Sequence, residues 1–159
     1  MRKWFLILIG SVLTAFTGKD EPPIHWNFSA KVRKTGEYEL HFTATLSPGW
    51  HVYSQFQPKE AVADPTKINF QKNSLVAIQG SSREVGTKVK YEDQTAGIVQ
   101  YQYANQVDFV QVISLKTRGP IRTNIAGTVH FQICTDHECL QPEDTPFNIP
   151  LPISDDTGK

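Results

Sequence analysis

The chain has 159 residues, enough for one domain with a sizeable core. Sixteen basic residues against sixteen acidic ones give a formal charge of zero, which leaves neither the basic stripe that nucleic acid needs nor the acidic block of a disordered tail. Ten glycines and ten prolines dispersed along the chain, with 11% aromatic residues, fit a compact, turn-rich fold.

The N-terminus has the order of a secretory signal peptide. Arg2 and Lys3 precede an apolar run over residues 4–13, and small residues follow at Thr14, Ala15 and Thr17. The run is short for a membrane span, and no other segment is apolar enough to be one. Cleavage is expected after Thr17, with a retained signal anchor as the alternative. Loss of Arg2 and Lys3 leaves 14 basic against 16 acidic residues. The expected organisation is a signal peptide at 1–17, a polar lead-in at 18–25, one domain at 26–153 and a tail at 154–159. The mature chain is expected to be soluble and exported, periplasmic or equivalent, where a disulfide persists.

Trp26, Phe28 and Ala30 alternate with polar residues and predict a first strand. Lys34-Thr35-Gly36 is a turn. Tyr38, Leu40, Phe42, Ala44 and Leu46 then give the cleanest alternation in the chain, ended by Ser47-Pro48-Gly49. Residues 50–56 are again β-prone, with Trp50, Val52 and Phe56 on one face and His51 and Tyr53 on the other. Residues 58–67 read as loop, 68–70 and 75–78 as short strands. Residues 80–97 are charged and unpatterned, and read as a long polar loop of the kind that often carries function. Strands are predicted over 98–103 and 107–115, separated by Ala104-Asn105-Gln106. Gly119-Pro120 punctuates, 121–125 reads as a short strand or extended connection, and a strand follows over 128–134.

No helical periodicity longer than a turn or two appears outside the N-terminus. About eight short strands between turn signals predict an all-β antiparallel sandwich. Trp26, Phe28, Leu40, Phe42, Leu46, Val52, Phe109, Val129, Phe131, Ile133, Phe147 and Ile149 are its expected core.

The rest of the chain reads as a scaffold for one stretch, from His130 to Pro142, which holds both cysteines. Val129, Phe131 and Ile133 point one way along a strand, so Cys134 points the other. The polar turn at 135–138 separates it from Cys139. Three readings fit two thiols at this spacing in an exported chain. A structural staple closing so small a loop stabilises by only about 2 kcal/mol. A redox pair needs a sulfur that a partner thiolate can reach. A metal site would join both sulfurs to His130, His137 or His51 and suit copper(I) or zinc, though the usual Cys-x-x-Cys spacing is absent. His137, between the cysteines, is placed to lower a thiol pKa, while Asp136 and Glu138 oppose it. His51 and Tyr53 form a candidate contact surface.

The segment 127–134, then Cys139-Leu140-Gln141-Pro142 and the closing residues 147–151, resembles the N-terminal periplasmic domain of the thiol:disulfide interchange protein DsbD. The turn Ser47-Pro48-Gly49 before Trp50-His51-Val52-Tyr53 supports the resemblance, which covers roughly residues 26–151. It implies an immunoglobulin-like sandwich that takes electrons from a membrane-embedded donor and passes them to thioredoxin-like envelope oxidoreductases. Cys134 and Cys139 are the implied redox pair, with Cys139 the partner-facing sulfur, and no cofactor or metal is implied. Tyr53 resembles an aromatic position beside the site, whereas His51 stands where the family often has tyrosine. The cysteine spacing is one residue shorter than in the best-known members. The family's covering loop carries a phenylalanine before a glycine, and residues 91–97 have none, so the cap is expected to shield the sulfurs less unless Tyr91 takes its place. The membrane and thioredoxin-like domains do not follow, so the expected donor is a separate chain. The alternative function is a non-catalytic envelope binding module with a structural disulfide, or, behind it, a copper- or zinc-binding domain.

Overall fold

The computed structural model describes residues 21–117 and 121–152. The expected signal peptide, the tail and the Gly119-Pro120 punctuation lie outside the described residues. Nine strands carry the described chain: β1 (Ile24–Lys34), β2 (Glu37–Leu46), β3 (His51–Tyr53), β4 (Lys67–Phe70), β5 (Val76–Asp93), β6 (Ile98–Leu115), β7 (Asn124–Phe131), β8 (Ile133–Cys134) and β9 (Glu143–Pro150). All pairings are antiparallel. The larger sheet runs β1-β2-β6-β3-β8, with β5 on the other edge of β6, and the smaller sheet runs β4-β7-β9. The two close into the expected immunoglobulin-like sandwich. Among the described residues no helix is long and apolar enough to cross a membrane.

The alternation in β2 does what period two requires. Tyr38, Leu40, Phe42, Ala44 and Leu46 are all buried against the smaller sheet, while their neighbours face outward. Phe42 is the hub: its ring centroid lies 4.9 Å from Phe147, 5.8 Å from Phe28 and 6.0 Å from Phe70. Trp26 continues the seam, 5.3 Å from Phe131 and 6.0 Å from Phe109. Such pairs add about 0.5–1.5 kcal/mol each beyond the area they bury. Every expected core residue is buried in this cluster or packed against it, Trp26 and Phe28 being only half-buried.

Three expectations are corrected. Residues 80–97 are not a long loop: β5 continues through Asp93, pairing with β6 across register shifts at Gln79/Arg83 and Gly86/Lys88, and only the tip at 94–97 turns. Most of its side chains are exposed on both faces, so the hydrophobic alternation that marks a strand is absent while the backbone ladder remains. Residues 98–115 form one strand instead of two. The break expected at Ala104-Asn105-Gln106 is absorbed by Asn105 in the left-handed region (φ 63°), which asparagine tolerates. At that point β6 exchanges one neighbour for another, with 102–104 pairing β3 and 106–114 pairing β2. Finally, the strand predicted over 50–56 ends at Tyr53, and Phe56 is 53% exposed instead of sharing a face with Val52.

The smaller sheet depends on one glycine for its closeness. Gly127 sits mid-β7 between Phe70 and Phe147, and a Cβ there would run into the Asn69 carbonyl and the Phe147 ring. Gly127→Ala is therefore expected to lower stability by about 2–3 kcal/mol, as overpacking does. Denaturant unfolding of the two proteins at one pH measures it.

Candidate functional site: a disulfide in a polar cleft

The site is made where the chain changes sheets. β7 ends at Phe131 in the smaller sheet, and after Gln132 the two residues of β8 join β3 in the larger one. The Gln132 side chain covers the break. Its Oε1 accepts from the Asp64 N–H at 3.0 Å, and its Nε2 donates to the Leu140 carbonyl at 3.0 Å. Alternation survives the crossing, so Ile133 stays in the core and Cys134 faces the outer side of the larger sheet.

Residues 135–138 form a turn held by its own backbone. The Thr135 N–H donates to the Glu138 carbonyl at 2.8 Å, and the Leu140 N–H donates to the Ile133 carbonyl at 3.0 Å. The Thr135 hydroxyl oxygen accepts from the His137 and Glu138 N–H groups at 3.2 and 3.1 Å, the local bonding that favours threonine in turns. Cys134 and Cys139 face each other across this turn and are joined, with S–S 2.04 Å and Cα atoms 4.0 Å apart. Cys134 is 1% exposed, whereas Cys139 is exposed.

The disulfide lines a cleft of about 240 Å³. His51, Tyr53, Tyr91 and His137, all expected near the cysteines, line it too. His51 is the cross-strand partner of Cys134, and Val52 that of Ile133. The two faces of β3 thus divide their work, Val52 in the core and His51 with Tyr53 in the cleft. The His51 and Tyr53 rings meet edge-on at 5.5 Å, and His51 Nε2 shares a 3.3 Å hydrogen bond with the Tyr53 hydroxyl. Gln100 Nε2 donates to the same hydroxyl at 3.4 Å. Burial pulls the His51 pKa below its ordinary value, against the opposing pull of the Asp136 carboxylate. Burial likewise pushes Tyr53 up to about 12, with the Gln100 hydrogen bond working the other way, so its hydroxyl keeps its proton.

His130, the remaining candidate ligand, lies elsewhere, with Nδ1 3.1 Å from Asp144 on the smaller sheet. Among the described residues no group of three or more His, Cys, Asp or Glu side chains is arranged to hold a metal ion.

Three contributing residues are not legible in the sequence. Gln100 and Gln102 line the cleft from β6, and both carry a buried Oε1 without a hydrogen-bond partner in the protein. Their alternation with Val99, Tyr101 and Tyr103 was the signal, masked because an inward glutamine looks like an outward one. Glu84 fell in the segment read as loop. Its side chain is 3% exposed, and it accepts from Ser54 Oγ at 2.8 Å, the Gln55 N–H at 2.6 Å, the Tyr103 hydroxyl at 2.7 Å and Lys88 Nζ at 2.6 Å. Burial works to raise its pKa, but these four donors outweigh burial and hold it below the usual carboxylate range. Glu84 thereby fastens the residues that follow β3 to β5, and so steadies His51 and Tyr53.

A β-sandwich with a disulfide set in an open polar cleft, one sulfur buried and one facing solvent, defines the class. The family model for the N-terminal part of the thiol:disulfide interchange protein DsbD matches residues 21–150, and the chain belongs to that family. Among solved structures, it is similar to the N-terminal domain of DsbD from Neisseria meningitidis in the reduced form. That match has 16% identity, a TM-score of 0.49, and covers 76% of this chain and 80% of that one. It is also similar to the N-terminal periplasmic domain of ScsB from Proteus mirabilis, with 18% identity, a TM-score of 0.47, and coverage of 84% and 48%. No curated protein sequence matches the chain.

Because folding holds His51 in its neutral form, the unfolded chain binds the extra proton first on acidification. Stability from this group is complete above pH 6.5, the ordinary value, and falls as pH drops below it toward the lowered folded value. Denaturant unfolding at pH 7.5 and pH 5 is expected to show a smaller acid loss in His51→Gln than in the native chain.

Proposed function

We propose that this domain is a thiol–disulfide electron carrier of an exported compartment, the periplasm or its equivalent, with Cys134 and Cys139 as its redox pair. The observation that carries the reading is the asymmetry of the pair: Cys139 is exposed at the mouth of the cleft and Cys134 is buried beside His51. Attack at sulfur needs access, and only Cys139 offers it to another protein. Membership of the family supports the same chemistry. The partners are thioredoxin-like envelope oxidoreductases, and a membrane-embedded donor reloads the domain. Residues 1–17 act as the signal peptide that delivers it and 26–153 form the working domain. Tyr53, Tyr91, His51 and His137 form the ground on which the partner's active site rests.

In the donating direction, the Cys139 thiolate attacks a partner disulfide and forms a mixed disulfide, expelling one partner thiolate. Cys134, once deprotonated, attacks the Cys139 sulfur. The intramolecular disulfide re-forms and the second partner thiolate leaves. Two electrons pass to the partner, and the two protons given up by the domain are balanced by the two its thiolates take.

Removal of the resolving thiol should strand this complex. Cys134→Ser is expected to accumulate a covalent adduct with a thioredoxin-like envelope protein through Cys139, and Cys139→Ser to give little. Non-reducing electrophoresis with mass spectrometry of the adduct reads the outcome. Adducts from Cys139→Ser alone would reverse the assignment, and none from either would favour the non-catalytic binding module.

A dithiol reductant is also expected to open the bond without unfolding the domain, at a potential above the roughly −300 mV below which structural disulfides lie. Thiol counting across a redox-buffer series, with a melting curve at each end, measures both. Collapse of the fold on reduction would mark the bond as a staple.

A further inference from the structure

We propose that His51 is the base that takes the proton from Cys134 when that buried thiol resolves the mixed disulfide. The proposal rests on the electron-carrier reading and assigns one of its proton transfers.

The need is set by burial. A thiol ordinarily ionises near pH 8.5, and apolar surroundings raise that value further. Cys134 is 1% exposed, so solvent is a poor acceptor for its proton and an adjacent group must serve. Register supplies one. His51 and Cys134 are direct cross-strand partners, which puts both side chains on one face with Cβ atoms about 4.5–5.5 Å apart. Both line the same cleft.

The hydrogen bonds around His51 leave it able to accept. Tyr53 keeps its proton, and its oxygen already accepts from Gln100 Nε2 at 3.4 Å. In the tautomer that places the imidazole proton on Nε2, His51 donates to the same oxygen across 3.3 Å. Nδ1, which has no hydrogen-bond partner among the described residues, is then the bare acceptor. The lowered pKa keeps the ring neutral at neutral pH.

The other ionisable groups facing the cleft are less well placed. Tyr53 keeps its proton, and Tyr91 is a phenol 41% exposed on β5. Asp136, His137 and Glu138 are exposed on the turn that precedes Cys139. From β6 the cleft receives Ile98, Gln100 and Gln102, none of which titrates. Asp136 has one evident part, to steady the imidazolium once it forms, since its carboxylate already raises the affinity of His51 for a proton.

The step balances simply. The proton on Cys134 Sγ moves to His51, the thiolate pair attacks Cys139 Sγ, the Cys139–partner S–S bond breaks, and the departing thiolate carries the electrons away. The imidazolium then returns its proton to solvent through the open cleft.

The test uses reduced full-length domain and a stoichiometric amount of 5,5′-dithiobis(2-nitrobenzoate). The first coloured thiolate released reports attack by Cys139 and the second reports resolution by Cys134. Cys134→Ser, giving only the first, fixes the assignment. In His51→Gln the first phase is expected to keep its rate. The second should slow on the order of 10²-fold, the low end of general-base catalysis. The pH profile separates a base from a structural role. In the native chain the second phase should rise with pH through the histidine's value, below 6.5, and then level off. In His51→Gln it should climb tenfold per unit toward the thiol pKa. His130→Gln, on the smaller sheet and outside the cleft, should match the native profile. Should His51→Gln misfold, the native profile alone decides: a second phase climbing through pH 8 with no plateau overturns the proposal. An unchanged second phase in a folded His51→Gln, or equal slowing of both phases, overturns it as well. No second phase in the native chain would instead count against the carrier reading.

Discussion

Between Phe131 and Ile133 the chain leaves the smaller sheet and enters the larger one, and the position of the disulfide follows from that crossing. A strand that continued straight would have carried Cys134 along the smaller sheet, away from β3. The crossing leaves backbone groups on both sides in need of partners, a costly state when buried. Gln132 meets two of them with one amide, accepting from Asp64 and donating to Leu140. It therefore ties the loop after β3 and the segment after Cys139 to the same point.

The arrangement separates the disulfide from the forces that hold the fold. The aromatic seam through Trp26, Phe42 and Phe147 lies between the sheets, while the disulfide lies on the outer side of the larger sheet. Ile133 and Val52 face the seam, and their neighbours Cys134 and His51 face the cleft. Opening the bond would disturb a turn whose ends are already joined by backbone hydrogen bonds at Thr135–Glu138 and Ile133–Leu140. The core lies apart from that turn.

Polar groups also set the stiffness of the site. β3 has only three residues, too few to define a side-chain position by its own ladder. It is held from both edges, by β6 and β8, and its exit is pinned by the Glu84 carboxylate. Lys88 supplies the charge that makes a buried carboxylate tolerable, at 2.6 Å. The wall of the cleft formed by β5 and β6 is polar at Gln100 and apolar at Tyr91 and Ile98. Tyr91 stands 41% exposed beside the disulfide, where the sequence carries no phenylalanine.

What the sequence determined by itself was the face on which side chains lie in its cleanly alternating strands. Alternation in 38–46 and 129–134 assigned Phe42, Val129 and Ile133 to the core and turned Cys134 away from it, because side chains in a strand alternate whatever the strand pairs with. The resemblance around the cysteines was enough to identify the family, and it implied Cys139 as the partner-facing thiol. What only the tertiary structure decided was which faces meet. His51 and Cys134 are more than eighty residues apart, and only the pairing of β3 with β8 sets them opposite each other. The strand in 80–93 was invisible because it is held by its backbone and shows solvent on both faces. Glu84 and Gln100 were invisible because a polar residue buried with partners has the same spelling as one in water. Periodicity records contact with the core, and this cleft lies outside it.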